Sequence, residues 1–195
     1  MNKILNRKNI FNGILILLFL VLLFVPPAKA LVLEGLMKIG FFRPDTKLVD
    51  KQVNAAGDLS GIRFKDRNGK VIDLGELKGK VVFLNFWATW CPPCLAEMPG
   101  VNALHEKFKN DKDVVFILVD ADSQLSKAQK FMDKKGYQLP VYAVDSEIPE
   151  LLFKGSLPTT VVFDKEGRIS YNEAGAANYA DSKFIAFINK LKTTN

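Results

Sequence analysis

Two cysteines, Cys91 and Cys94, are the only ones in the chain, and both lie in the string Trp90-Cys91-Pro92-Pro93-Cys94. A pair at this spacing is within disulfide reach. It can act as a reversible dithiol, clip a soft metal, staple a loop, or be inert. Its setting favours the first. An unbroken apolar, β-branched run at 81–86 precedes the pair, and a helical pattern follows it. Backbone N–H groups and the macrodipole at a helix N-terminus favour an anion, so a thiol there ionises more readily. The reading is therefore an attacking thiolate at Cys91, on the exposed end, and a resolving thiol at Cys94, shielded one turn further in. Pro92 and Pro93 fix φ between them and suit a first helical turn. A metal clip lacks ligands, since the chain has one histidine and no further cysteine. A disulfide across so short a loop constrains the unfolded chain little. No cofactor and no metal are expected.

The elements that must hold this pair are readable from periodicity. Short strands at 62–64 and 71–74 flank Asn68-Gly69, a hairpin signal. The run 81–86 predicts a strand buried on both faces. A helix is expected over 91–109, with Leu95, Met98, Val101, Leu104 and Phe108 on one side and Pro99 inside. A buried strand at 114–119, a helix from Leu125 ending near Gly136, a strand at 141–144 and a short helix at 148–153 follow. Leu157-Pro158 leads into a strand at 159–163, a turn at Glu166-Gly167 and a strand at 169–172. A last helix follows Asp181, a plausible N-cap. Strands alternating with helices predict an α/β fold: a central mixed β-sheet with helices on both faces.

The chain has 195 residues, 48% hydrophobic and 25% charged, which excludes disorder and low complexity. Its +6 net charge is misleading, because Lys3, Arg7, Lys8 and Lys29 supply four of the six charges in an acid-free N-terminus. No basic stripe remains for nucleic acid. Three of those cations precede an apolar run at 10–25, closed by Pro26-Pro27. The run is long for a signal-peptide core and short for a membrane span. Residues 1–30 are expected to be a signal-anchor or signal peptide, residues 31–57 a juxtamembrane spacer, and 58–195 the globular domain. Within the spacer, residues 31–42 suit the membrane surface, and Asn54-Ala55-Ala56-Gly57 reads as linker. The charge order keeps the N-terminus inside and exports the rest. A retained single anchor in the inner (cytoplasmic) membrane, with the domain on the periplasmic side, is favoured over cleavage at Ala28-Lys29-Ala30 and release.

Phe86-Trp87-Ala88-Thr89-Trp90-Cys91-Pro92-Pro93-Cys94 resembles the thioredoxin active-site segment. The continuation Leu95-Ala96-Glu97-Met98-Pro99 is similar to the TlpA/ResA-like branch, membrane-anchored or exported bacterial thiol-disulfide oxidoreductases. The resemblance covers about residues 58–192. It implies a thioredoxin fold with an extra strand-helix insertion and an N-terminal hairpin. It makes Pro158 the cis-proline beside the cysteines, and places Trp90, Pro92, Pro93, Leu157 and Pro158 where a substrate binds. Asn85 stands where thioredoxins proper carry a buried acid, so that role is vacant. Glu97, three residues after Cys94, faces the same side of the helix; in the resembling branch a glutamate here influences cysteine ionisation, and otherwise it is a solvated charge. His105 reads as packing or surface.

The expected function is an extracytoplasmic thiol-disulfide oxidoreductase that reduces disulfides of exported proteins, of the cytochrome c maturation or metal-centre assembly type, supplied by an upstream membrane electron donor. A thiol peroxidase is the alternative enzyme, although Ala88 stands where peroxiredoxins carry Thr or Ser. A copper-handling C-x-x-C module is the non-enzymatic alternative.

Overall fold

The computed structural model describes residues 7–44 and 58–193. The expected linker at 54–57 and Lys3 lie outside the described residues. Two helices come first, α1 (Arg7–Phe24) and α2 (Pro26–Lys38). Then follow β1 (Arg63–Asp66), β2 (Val71–Asp73), a 3-10 turn (Leu74–Leu77), β3 (Val81–Trp87), α3 (Pro92–Phe108), β4 (Val114–Asp120), α4 (Leu125–Lys135), β5 (Val141–Val144), β6 (Thr159–Phe163), β7 (Ile169–Ala174) and α5 (Ser182–Thr193).

The strands form one mixed sheet in the order β2-β1-β5-β4-β3-β6-β7. β3 lies inside the sheet, parallel to β4 and antiparallel to β6, and every residue of it is buried, as its unbroken apolar run requires. The hairpin β1–β2 turns through Gly69, at φ 81°. Successive residues of a strand face opposite sides. Phe83 and Trp87 therefore pack with α3, α4 and α5 around Met98, Leu104, Met132 and Phe184. Val82, Leu84 and Phe86 pack on the other face, with Phe64, Ile117 and Phe163.

The short helix expected at 148–153 on that second face is a single turn instead. Leu152 and Phe153 N–H both bond to the Pro149 carbonyl, and Gly155 at φ 81° diverts the chain. Phe153 still covers the sheet, stacked on Phe86 at 4.5 Å. Thus α3, α4 and α5 cover one face, and turns cover the other.

Candidate functional site

The dithiol sits where β3 hands over to α3. Cys91 is the N-cap of α3, with Pro92 and Pro93 in its first turn. Its sulfur accepts the Cys94 N–H at 3.3 Å, the position a serine or aspartate oxygen takes in an ordinary cap. The two cysteines form a disulfide, with Cα atoms 5.3 Å apart. Cys94 is fully buried, and Cys91, expected at an exposed end, is only 3% exposed in this oxidised form. The opening lies beside Trp90, which is 54% exposed and whose indole N–H bonds to Asp122 at 2.5 Å. Pro92 and Pro93 are half-buried.

The Leu157-Pro158 bond is cis. Pro158 immediately precedes β6, and Thr159 pairs with Phe86, so the proline stands level with the C-terminal end of β3 from which Cys91 departs. The Pro158 carbonyl accepts Gly175 N–H at 2.8 Å, which ties this loop to the end of β7.

Further along α3 from Cys94, at Glu97, lies a buried polar cluster. Glu97 is not a solvated helix charge: it has no exposed surface. One carboxyl oxygen accepts from the Asn85 side-chain amide at 2.9 Å, the other from Ala177 N–H at 3.3 Å. Burial pushes its pKa up to about 8, against the opposing pull of those two hydrogen bonds. Glu97 is therefore mostly neutral at pH 7. The acid absent from the strand at Asn85 is thus supplied from the facing helix, and Asn85 holds it. Asn85 also donates to Thr160 Oγ1 at 2.9 Å, and Tyr179 O–H donates to the same oxygen at 2.7 Å. The other atom of the Asn85 amide, Oδ1, is buried without a partner. Gly100 lets the 178–180 loop approach α3: a Cβ there would stand 3.2 Å from Tyr179 N.

Thr160, Ala177 and Tyr179 are the members of this pocket that sequence reasoning missed. Thr160 carried a signal, a polar residue in a buried strand two places beyond Pro158. Tyr179 and the Ala177 amide belong to a loop without a pattern. His105 lies elsewhere, edge-on to Phe116 at 5.1 Å, its pKa lowered by burial.

This arrangement suits thiol-disulfide exchange: a dithiol at a helix N-terminus, an exposed aromatic rim, and a buried carboxyl that can hold or release a proton. Comparison with known proteins agrees. The Redoxin family profile matches residues 49–184. The thiol-disulfide oxidoreductase ResA of Bacillus thuringiensis (strain Al Hakam) is 39% identical over 142 residues, covering 71% of this chain and 80% of the relative. The ResA of Oceanobacillus iheyensis is 31% identical over 179 residues, covering 90% of this chain and 86% of the relative. Among solved structures, a thiol:disulfide interchange protein of the thioredoxin family from Chlorobium tepidum TLS is similar with a TM-score of 0.53 and 28% identity, covering 70% of this chain and 98% of that one. The chain belongs to the Redoxin family and, within it, to the ResA-like thiol-disulfide oxidoreductases.

Proposed function

We propose that this oxidoreductase is a reductase of exported protein disulfides, of the cytochrome c or metal-centre assembly type that the resemblance implies, held at the extracytoplasmic face of the inner membrane by its N-terminus. The observation that carries the direction is the buried Glu97, three residues after Cys94 on the same helix. A strong oxidant stabilises its reduced form through an unusually acidic thiol. Glu97 offers a thiolate at the start of α3 no positive charge: neutral it supplies none, and ionised it opposes a second anion on the same helix. The dithiol is not stabilised as a thiolate, which leaves the disulfide relatively stable and the couple on the reducing side.

The cycle starts when a dithiol of the membrane donor reduces Cys91–Cys94 and is itself oxidised to a disulfide. The Cys91 thiolate then attacks one sulfur of a substrate disulfide. A Cys91–substrate bond forms, and the second substrate sulfur leaves as a thiolate. The Cys94 thiol gives up its proton and attacks Cys91, re-forming the intramolecular disulfide and releasing the first substrate sulfur as a thiol. Two electrons pass from the dithiol to the substrate. Trp90, Pro92, Pro93, Leu157 and Pro158 form the surface a substrate strand meets.

The N-terminal arrangement supports anchoring over release. The apolar side chains of α1 from Ile10 to Phe24 are exposed. Among the described residues no single helix is long and apolar enough to cross a membrane; α1 and α2 reach that length and composition only as a pair, bent by 88°. Cleavage after Ala30 would cut through α2, where Ala30 is buried against α3. The parts are then an anchor in residues 1–30, a juxtamembrane segment in 31–57 and the redox domain in 58–195.

Trapping tests the reading. A Cys94→Ser variant expressed as the full chain stalls at the mixed disulfide, and the captured proteins are expected to be exported ones with reducible cysteine pairs. Equilibration of the wild type with a thiol buffer is expected to give a potential well below the roughly −120 mV of a strong oxidant. A potential at that value overturns the direction, and capture of only cytoplasmic proteins overturns the location.

A further inference from the structure

α2 has two apolar faces. On the inner one, Ala30 and Met37 are buried and, with Leu33, pack against Leu95 and Ala96 of α3 and against Ala176. The chain just beyond α2 is fastened to the domain as well, because the Phe42 carbonyl accepts Asn178 N–H at 2.9 Å. The opposite face carries Leu31, 65% exposed, and Val32, 49% exposed, with Ile39 just past the C-terminal end at 72%. At 100° per residue these three fall within one arc, turned away from Ala30 and Met37. Phe41 and Phe42 extend the exposed apolar surface. A helix on a domain's surface ordinarily turns its second face to water with polar side chains. This one turns leucine, valine and isoleucine outward.

The neighbouring helix identifies the occupant. The exposed apolar side chains of α1 run from Ile10 to Phe24, broken by Asn12 and Gly13, about 22 Å at 1.5 Å per residue. That is shorter than a hydrocarbon core of about 30 Å. α2 leaves α1 at 88°, so a bilayer that α1 enters along its normal has α2 in its plane. Lys29 and Arg43, both exposed, bracket the outer apolar face, where cations meet lipid phosphates.

We propose that α2 is an interfacial helix sandwiched between the bilayer surface and the redox domain, with Leu31, Val32 and Ile39 in the headgroup–acyl boundary and Ala30 and Met37 carrying α3. This rests on the anchored reading above and adds a fixed orientation to it. The first turns of α3, directly after Cys94, lie against α2. The dithiol is therefore carried on the helix that α2 holds at the membrane, and it serves disulfides presented at the membrane surface rather than in bulk solution. α2 also walls the space beside Glu97: a cavity of about 280 Å3 between it and α3 is lined by Glu34, Met37, Ala96 and Glu97.

The full chain, reconstituted in vesicles of phosphatidylcholine and phosphatidylglycerol, tests this. Single substitutions Leu31→Trp, Ile39→Trp and, as a control on the exposed far end of α3, Lys107→Trp are made in a Trp90→Phe background. Emission is read with lipids brominated high or low on the acyl chain; Trp87, fully buried, contributes a constant background. Tryptophans at positions 31 and 39 are expected to shift to the blue and to lose intensity equally, more to shallow than to deep bromine, while one at 107 does neither. Unequal depths at 31 and 39, no quenching at either, or equal quenching at 107 overturns the in-plane orientation while leaving anchoring intact, provided the chain floats with the vesicles. Failure to float overturns the anchored reading itself, and this inference with it.

Discussion

Glu97 has no exposed surface, whereas Leu31 and Ile39, on and just beyond the helix that packs beside it, are 65% and 72% exposed. The two regions depart from the ordinary partition of side chains in opposite directions. Around α3 the fold buries a carboxyl and surrounds it with partners: Asn85 and Ala177 hold its oxygens, Thr160 holds Asn85, and Tyr179 holds Thr160 in turn. Along α1 and α2 large apolar side chains stand exposed, and each forgoes part of the about 1.5–3 kcal/mol that full burial would contribute. A polar group taken inside with its hydrogen bonds arranged marks where chemistry is tuned. An apolar face left outside marks where a second phase is met. On the anchored reading the two lie on opposite sides of one helix pair, so the place of work and the place of attachment would be mechanically joined.

The sharpest way to separate the two regions is Cys91→Ser. Loss of the attacking sulfur is expected to lower the reduction rate of a model protein disulfide by about a thousandfold or more. Flotation with vesicles should be unchanged, because no residue of α1 or of the outer face of α2 is altered. A variant that still reduces disulfides at the wild-type rate would remove Cys91 from the attacking role.

Glu97→Gln is expected to act through pH. In the folded chain the Glu97 proton is held to about 8, against 4.5 for an ordinary glutamate. Between these values the native state binds more protons than the unfolded state. The stability Glu97 supplies is therefore full below pH 4.5 and is lost as pH rises through about 8, with a slope approaching 1.4 kcal/mol per pH unit. Urea midpoints of the wild type across that window should fall with pH, and those of Glu97→Gln should not. The same substitution removes the anion that competes with a thiolate, so the pH midpoint for alkylation of reduced Cys91 should move down. A wild type whose stability is flat over the window would mean that Glu97 ionises freely, and the contrast with the exposed helices would collapse.

How much of this the sequence reveals depends on how local each signal is. β3 is legible because burial on both faces demands an unbroken apolar run. The site is legible because Cys91, Pro92, Pro93 and Cys94 are contiguous. The hairpin at Gly69 and the cap at Asp181 are equally local. The segment 148–153 has helical apolar spacing, but its length and Gly155 allow one turn only. The fate of Glu97 is set at long range: its burial needs Ala177, eighty residues away, brought over α3 by the loop that Gly100 admits. The docking of α2 is likewise invisible to periodicity, since Leu31 and Leu33 are the same residue type and only the tertiary partner Ala96 tells the inner from the outer.

The smallest effect is expected at the far end of the buried network. Tyr179→Phe removes one hydroxyl and keeps the ring, which packs against Phe83 and Phe184 with centroids 5.2 and 4.9 Å apart. The lost bonds are that to Thr160 and the one shared with the Tyr171 hydroxyl, each worth about 1 kcal/mol, or a few degrees in the thermal midpoint. Thr160 keeps its bond from Asn85, and Asn85 keeps Glu97. The pH window assigned to Glu97 should therefore stay where it is while stability drops by the same amount on both sides of it. If the window itself moves in Tyr179→Phe, the hydroxyl is part of what holds the proton, and the redox pocket extends from the disulfide through β3 and β6 to the loop before α5. Either result is read from urea midpoints at two pH values, one below 4.5 and one above 8.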